Sequence, residues 1–298
     1  MLVINNYKEM QKYSFELIAQ KQKIGFVPTM GFLHEGHGSL IRKIREISDV
    51  VVLSIFVNPS QFAPGEDYER YPRNFERDKQ IAEDNGCDII FHPDPINMYP
   101  IGYGTEVKLK KLIKTFEGSS RPTHFDGVAT VVAKLFNIVM PTYAIFGQKD
   151  YQQTLVVRQL AKDLNFPCEI IIAPTYREHD GLAMSSRNVY LSPDERLSAS
   201  ILFHSLEKAR AAIMGGERNR KIINAIMHNS LRSLQGIRID YASSANAESL
   251  EEPDIFLSGD KVVLLIAVYI GKTRLIDNLV VNVPAISTTL EDRFVEGV

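Results

Sequence analysis

The chain has 298 residues, 45% of them hydrophobic and 23% charged, with a formal net charge of -2. That length suits two modest domains or one large one and leaves ample material for a core. The near-neutral balance argues against a nucleic-acid binder that works by bulk electrostatics, while an anionic ligand held by a few focused cations stays open. Cys87 and Cys168 are the two cysteines, neither lies in a CxxC pair, and they read as thiols of a reducing compartment. The N-terminus lacks the basic start and apolar stretch of a signal peptide. The longest apolar run, Val262 to Ile270, is too short to span a bilayer. These features predict a cytoplasmic protein without membrane or nucleic-acid partners.

In chain order, KIGFVPT, DVVVLSIFV, CDIIFHP, YAIFG and CEIIIAPT read as buried strands, because they are short, rich in Val, Ile and Phe, and stopped by Pro, Gly or Asn. Between and after them, HGSLIRKIREIS, RNFERDKQIAEDNG, GVATVVAKLFNIVM and LVVRQLAKDLN carry helical patterns. Such alternation predicts a doubly wound α/β domain, a parallel sheet covered on both faces, over residues 1–175. The pattern then changes. SPDERLSASILFHSLEKARAAI predicts a helix with Ser192 as N-cap and Pro193 at its first position. KIINAIMHNSLRSL predicts another. IRIDYASSA, KVVLLIAVYIGK and TRLIDNLVV predict a small antiparallel sheet, giving a smaller α+β domain over residues 176–298.

Four segments carry chemistry. Pro28 to His37 follows the first core strand and leads into a helix, the place where a doubly wound sheet binds ligands and where backbone N–H groups favour phosphate. Gly31 and Gly36 let the backbone approach a ligand, and His34 and His37, one turn apart, can face it together. On residues alone the pair also fits two metal ligands or polar surface. Gly181 to Asn188 places Ser185, Ser186 and Arg187 in a Gly-led loop, a polyphosphate clamp or a surface turn. Phe146 to Gln153 leaves a strand end and offers Lys149 to an anion, with Gln153 a helical turn further on. Phe56 to Phe62 offers Asn58 and Gln61 to a polar substrate, or is simply a capped turn. Arg121 and His124 lie in a further loop that is either surface or near an anion. There is no GxGxxG, no GxxxxGK[ST] and no GxSxG, so neither a dinucleotide fingerprint, a P-loop nor a serine elbow is supported.

HxGH after the first strand, with a Met-Ser-Ser-Arg loop late in the chain, resembles the HIGH/KMSKS nucleotidyl-transferase superfamily. Within it, PTMGFLHEGH, FVNPSQF, the YPR segment, EGSSRPTHFDGVATVVAKLFNIV, FGQKDYQQ and REHDGLAMSSRNVYLS, in that order from residue 28 to 192, resemble the pantoate–β-alanine ligase family. IDYASSANAESL and TRLIDNLVV resemble that family's small C-terminal domain.

The resemblance implies a ligase using ATP as substrate with Mg²⁺, acting on pantoate and β-alanine through a pantoyl adenylate, and a homodimer. It implies an ATP loop of Met30, Gly31, Phe32, Leu33, His34, Glu35, Gly36 and His37, with His34 and His37 on the phosphates and His37 the proton donor. Gly147, Gln148, Lys149 and Asp150 would bind adenosine and phosphate, and His34, His37 and Lys149 form the catalytic set. Tyr176 stands where the family's backbone meets adenine. Met184, Ser185, Ser186 and Arg187 would be the KMSKS-like loop that closes over the triphosphate. Gln61 and Gln153 would hold pantoate, Gln61 also meeting β-alanine, and residues 62–73 would form a gate. The metal ligands are not readable. Gly38 stands where a bulkier residue is more familiar, and His179 takes no role. A nucleotidyltransferase acting on a phosphorylated alcohol and a regulatory protein with a dead site are the rival readings.

Overall fold

The structure is a computed structural model that describes residues 1–285. It divides into two compact units, the first Met1–Tyr190 and the second beginning at Leu191. In the first, β1 (Leu2–Ile4), α1 (Tyr7–Ala19), β2 (Ile24–Thr29), α2 (Glu35–Arg45), β3 (Val50–Ile55), α3 (Phe75–Asp84) and β4 (Ile89–Phe91) come first. The short helices α4 (Pro95–Met98) and α5 (Glu117–Ser120) precede α6 (His124–Val139), β5 (Tyr143–Gly147), α7 (Tyr151–Asp163) and β6 (Glu169–Ala173).

The six strands form one sheet in the order β1-β4-β3-β2-β5-β6, every pair parallel. The strands read as nearly continuous apolar runs because both faces are covered. Phe26, Val52, Ile89 and Phe91 point into a core shared with Met10 and Leu17 of α1, most of α6, and Val156, Val157 and Leu160 of α7. Val27, Val51, Leu53 and Ile90 point the other way, onto Ile41 and Ile44 of α2 and Ala82 of α3. Strand order reverses between β2 and β5, the switch point at which such sheets bind ligands. Those two strands pair at Gly25–Tyr143 and Phe26–Ala144 and run on for three residues beyond, so their carboxyl ends flank a crevice.

The second unit holds α8 (Pro193–Ser198), α9 (Ile201–Met214), α10 (Arg220–Arg232), β7 (Ile237–Asn246), β8 (Lys261–Ile270) and β9 (Thr273–Asn282). The strands form an antiparallel sheet with β8 central; Val262 to Val268 are buried throughout. Ser192 caps α8 in a box with Glu195, with Pro193 at the first helical position.

The structure departs from the sequence reading at three places. The single helix expected from Pro193 is two. Ser198 Oγ donates to Asp194 O at 2.8 Å and Ser200 Oγ to Leu197 O at 3.2 Å, hydroxyls competing for helix carbonyls at the break. β1 and α1 are additions that the sequence pattern does not predict. The boundary expected near 175 falls between 190 and 191. Residues 176–190 stay with the first unit because Ser186 Oγ donates to Phe32 O at 3.1 Å, Arg187 pairs with Asp67, and Tyr190 OH donates to Arg70 O at 2.9 Å. The Met184 to Arg187 loop therefore belongs to the first unit.

Candidate active site

A cavity of about 220 Å³ opens at the carboxyl ends of β2 and β5. Of the residues singled out by sequence, Met30, His34, Gly36, His37, Gln61, Gly147, Lys149, Asp150, Gln153, Tyr176, Met184, Ser185, Ser186 and Arg187 line it. They come from five chain segments, which the parallel sheet gathers at one edge. Gly31, Phe32, Leu33, Glu35 and Gln148 do not line it. Glu35 pairs with Arg42 on the surface, and Gln148 N–H donates to Ala173 O at 2.8 Å.

The loop after β2 is held from behind. Gly31 (φ +83°) and Phe32 (φ +51°) both take left-handed backbone, which is costly for a phenylalanine. Asp78 of α3 offsets that cost. Its two carboxylate oxygens accept Phe32 N–H at 2.7 Å and Leu33 N–H at 2.6 Å. A Cβ on Gly31 would stand 2.9 Å from Ile55 Cγ2 and 3.0 Å from Asp78 Oδ2, so this position needs glycine on two counts. Asp78 is 1% exposed, and burial raises its pKa despite those two donors.

His34 caps α2 and His37 follows in its first turn. Their ring centroids lie 4.0 Å apart. His37 Nδ1 accepts His34 N–H at 3.2 Å, so the neutral ring carries its proton on Nε2. A Cβ on Gly36 would meet the His34 ring at 2.9 Å, which explains the glycine between them. Burial, then Lys149 and Arg77, lower the His34 pKa to about 4. Burial, His34 and Lys149 hold His37 well below its ordinary value. Both imidazoles are thus neutral donors at pH 7. His34 Nδ1 is buried without a hydrogen-bond partner, packed against Gly36 in the first turn of α2.

The cations come from three chain segments. Lys149 stands after β5 with its Nζ 3.7 Å from Asp150 Oδ1. Arg187 follows a short hairpin that pairs at Arg177–Ala183 and turns at Gly181 (φ +90°). Arg121 donates Nε and Nη2 to Glu66 at 2.7 and 2.6 Å, and its Nη2 also reaches Gln61 O at 3.3 Å.

Several lining residues were not placed by the sequence. Arg121 and His124 were left open between surface and site, and both line the cavity. Tyr71, expected only as part of the 62–73 gate, lines it too, as does an apolar wall of Val128, Val131, Val132 and Leu135 that was not proposed. The wall's signal was present in GVATVVAKLF, too apolar for a helix with one solvated face. Adjacent glutamines divide their work. Gln152 is buried, accepts Glu117 N–H at 2.9 Å and donates to Leu112 O and Thr115 O, while Gln153 lines the cavity. The arrangement gathers neutral donors, a lysine, two arginines, amides and an apolar wall around one cavity. It suits a polyanion beside a small, partly apolar, polar-tipped molecule.

The pantoate-beta-alanine ligase family model matches residues 2–280. The pantothenate synthetase of Caldicellulosiruptor saccharolyticus is 50% identical over 283 residues, covering 95% of this chain and 100% of that protein. That of Thermotoga neapolitana is 50% identical over 282 residues, again covering 95% and 100%. The crystal structure of pantothenate synthetase from Thermus thermophilus superposes with a TM-score of 0.88 at 42% identity, covering 96% of this chain and 100% of its own. A pantoate-beta-alanine ligase from Francisella tularensis, crystallised with beta-gamma ATP and beta-alanine, gives a TM-score of 0.78 at 36% identity, covering 94% and 97%.

Proposed function

The chain belongs to the pantoate-beta-alanine ligase family, and from that premise we propose how its cavity carries out the ATP-dependent condensation of pantoate with β-alanine. The observation that carries the reading is the convergence of His34, His37, Lys149 and Arg187 on one cavity at the switch point of the sheet.

A pantoate carboxylate oxygen attacks the α-phosphorus of ATP, the bond to the bridging oxygen breaks, and pyrophosphate leaves. The amine of β-alanine then attacks the acyl carbon, AMP leaves with the C–O bond's electrons, and the amine's proton is lost as the amide forms. The first step gathers negative charge on phosphate oxygens, so placement and electrostatics dominate its barrier. His37 donates from Nε2, His34 lies beside it, and Lys149 and Arg187 supply fixed positive charge. Because both imidazoles are neutral, they donate without first taking up a proton. Gln61 and Gln153 hold pantoate by amide hydrogen bonds, against the apolar wall of α6. Tyr176 borders the adenine end, with Met184, Ser185 and Ser186 along the phosphates. Water must be excluded from the adenylate; the 62–73 segment, tied to the cavity through Glu66 and Asp67, is suited to that.

Mg²⁺ accompanies the nucleotide in this reading. Such an ion takes most of its oxygens from phosphates and water, with one or two carboxylates. Among the described residues no group of three or more His, Cys, Asp or Glu could hold a metal, so a cage made by protein alone is not the fit. Asp150, lining the cavity beside Lys149, is the carboxylate that would share it. The ion would neutralise charge on the triphosphate.

We propose also that the chain works as a homodimer in the cytoplasm. The two free thiols support a reducing compartment, and no described helix is long and apolar enough to cross a membrane. Sedimentation of the purified chain tests the dimer. The reaction is tested with ATP, Mg²⁺ and pantoate, with and without β-alanine. With β-alanine, AMP, pyrophosphate and pantothenate in equal amounts are expected; without it, pyrophosphate and pantoyl adenylate, and no pantothenate. A product that retains the nucleotide when β-alanine is present would overturn the ligase reading in favour of nucleotidyl transfer.

A further inference from the structure

An amide side chain can face a ligand with either its N–H₂ or its oxygen, and its neighbours decide which. Asn58, completely buried, is fixed by two backbone groups whose polarity cannot change. Its Oδ1 faces the Ser60 N–H at 3.4 Å, and its Nδ2 faces the Gly127 carbonyl at 3.1 Å. Tyr99 OH and Ser60 Oγ also donate to Oδ1, at 2.7 and 3.0 Å. The second N–H of Asn58 then points at Gln61, at 2.9 Å, and only the Gln61 oxygen can accept it. Gln61 Nε2 is left facing Met30 Sδ at 3.9 Å, on the cavity wall and against an acceptor weak enough to be displaced. The Gln61 backbone is equally fixed, since its carbonyl accepts from His124 Nδ1 at 3.0 Å and Arg121 Nη2 at 3.3 Å.

We infer that Asn58, locked by Tyr99, Ser60 and Gly127, sets the Gln61 amide so that it presents N–H donors to the cavity. This makes the subsite specific for a substrate group that accepts hydrogen bonds, and makes Asn58 and Tyr99 positioning residues for substrate. The inference rests on the ligase reading and sharpens it. Gln61 receives a carboxylate or hydroxyl oxygen of pantoate and turns away an ammonium group. Where Gln61 meets β-alanine, it does so at the carboxylate, leaving the amine to attack. Gly127 belongs to the device because a Cβ there would overlap Ser60 O. Glycine lets α6 press its carbonyl against the Asn58 turn.

Steady-state kinetics of the full chain with ATP, pantoate and β-alanine test this. Gln61→Glu keeps shape and keeps an oxygen toward Asn58, but replaces the cavity-facing donor with an acceptor. Its pantoate KM at pH 8, relative to wild type, is expected to rise about tenfold or more. The ratio should fall as pH drops through the glutamate range, where the protonated carboxyl donates again. The ATP KM should stay within about twofold of wild type, within the scatter expected for a group that does not touch the nucleotide. An unchanged pantoate KM at pH 8 would overturn the assigned polarity, because a cavity-facing oxygen would have been preserved. Tyr99→Phe removes one donor to Asn58 and should raise the pantoate KM about threefold with kcat retained. A fall in kcat with all three KM values unchanged would overturn the positioning role. A wild-type chain that makes no AMP and no pantothenate from ATP, pantoate and β-alanine would overturn the ligase reading itself, and this inference with it.

Discussion

Arg187 grips Asp67 with a fork, Nε and Nη2 each 2.9 Å from a carboxylate oxygen. Burial opposes charge on both partners, but their mutual attraction outweighs it, raising the arginine pKa and lowering that of the acid. Asp67 thereby occupies the geometry that a phosphate would take on the same guanidinium. Replacing it with asparagine should strengthen the attraction for the triphosphate and leave the arginine less well held. Asp67→Asn is expected to lower the ATP KM by about threefold and to lower the melting temperature by a few degrees, since a half-buried cation loses its partner. Kinetics and thermal unfolding on one preparation check both. An unchanged ATP KM would show that the carboxylate does not compete.

The imidazoles predict a specific acid sensitivity. His34 and His124 are each lowered to about 4, mainly by burial, with Lys149 and Arg121 respectively the leading charges; His37 is lowered too. Between pH 4 and 6.5 the unfolded chain binds protons at these sites and the folded chain does not, so stability rises with pH through that window. Each of His34 and His124 should cost about 2 kcal/mol of stability between pH 7 and 5. The melting temperature should fall steeply over that range, and less steeply in His124→Gln. The kcat/KM for ATP should show no break near 6.5, its acid limb lying below pH 5. A clear titration at 6.5 that vanishes in His34→Gln would contradict the neutral assignment.

The five strands read from apolar runs and the loops at their carboxyl ends were legible for one reason. A buried parallel strand that stops at Gly, Pro or a polar residue marks where a site lies. β1 was not legible: three residues on a sheet edge carry too little pattern to separate them from a loop, and α1 begins immediately after. Asp78 was hidden because it occupies one position of an amphipathic helix, and its backbone partners lie more than forty residues away. The pairings of Arg121 with Glu66 and of Arg187 with Asp67 were hidden for the same reason. Which arginine meets which acid depends on loop paths that no local periodicity encodes. Asn58 and Gln61 were legible as a polar pair after a strand, but their polarity needs Gly127 and Tyr99, which come from other elements.

Lys149 is the cation that both histidines feel, and its side chain is 19% exposed. Alanine at this position should remove a charge placed for the adenylation step, at a cost of about 10²-fold or more in rate. Isotope exchange between pyrophosphate and ATP in the presence of pantoate isolates that half-reaction. Exchange at the wild-type rate would exclude Lys149 from it. His37→Ala should likewise slow adenylation more than the transfer of preformed adenylate to β-alanine; equal losses in both would point to general damage.

Gly147 allows binding to be separated from folding. It ends β5 and lines the cavity, and among the described residues no atom beyond its two chain neighbours lies within 4 Å of where its Cβ would stand. Its backbone is not left-handed, so a side chain meets no conformational penalty, and valine favours the strand end. Most glycines near the site fail this test, as Gly31 and Gly36 show. Gly147→Val should therefore leave the melting temperature within about a degree or two of wild type, as for a substitution without a clash. The added methyl groups project into the space assigned to the nucleotide, so the ATP KM should rise about tenfold or more while the pantoate KM changes little. A variant that melts like wild type and binds ATP normally would move the nucleotide away from the end of β5. Because folding is left intact, that result could not be attributed to damage elsewhere.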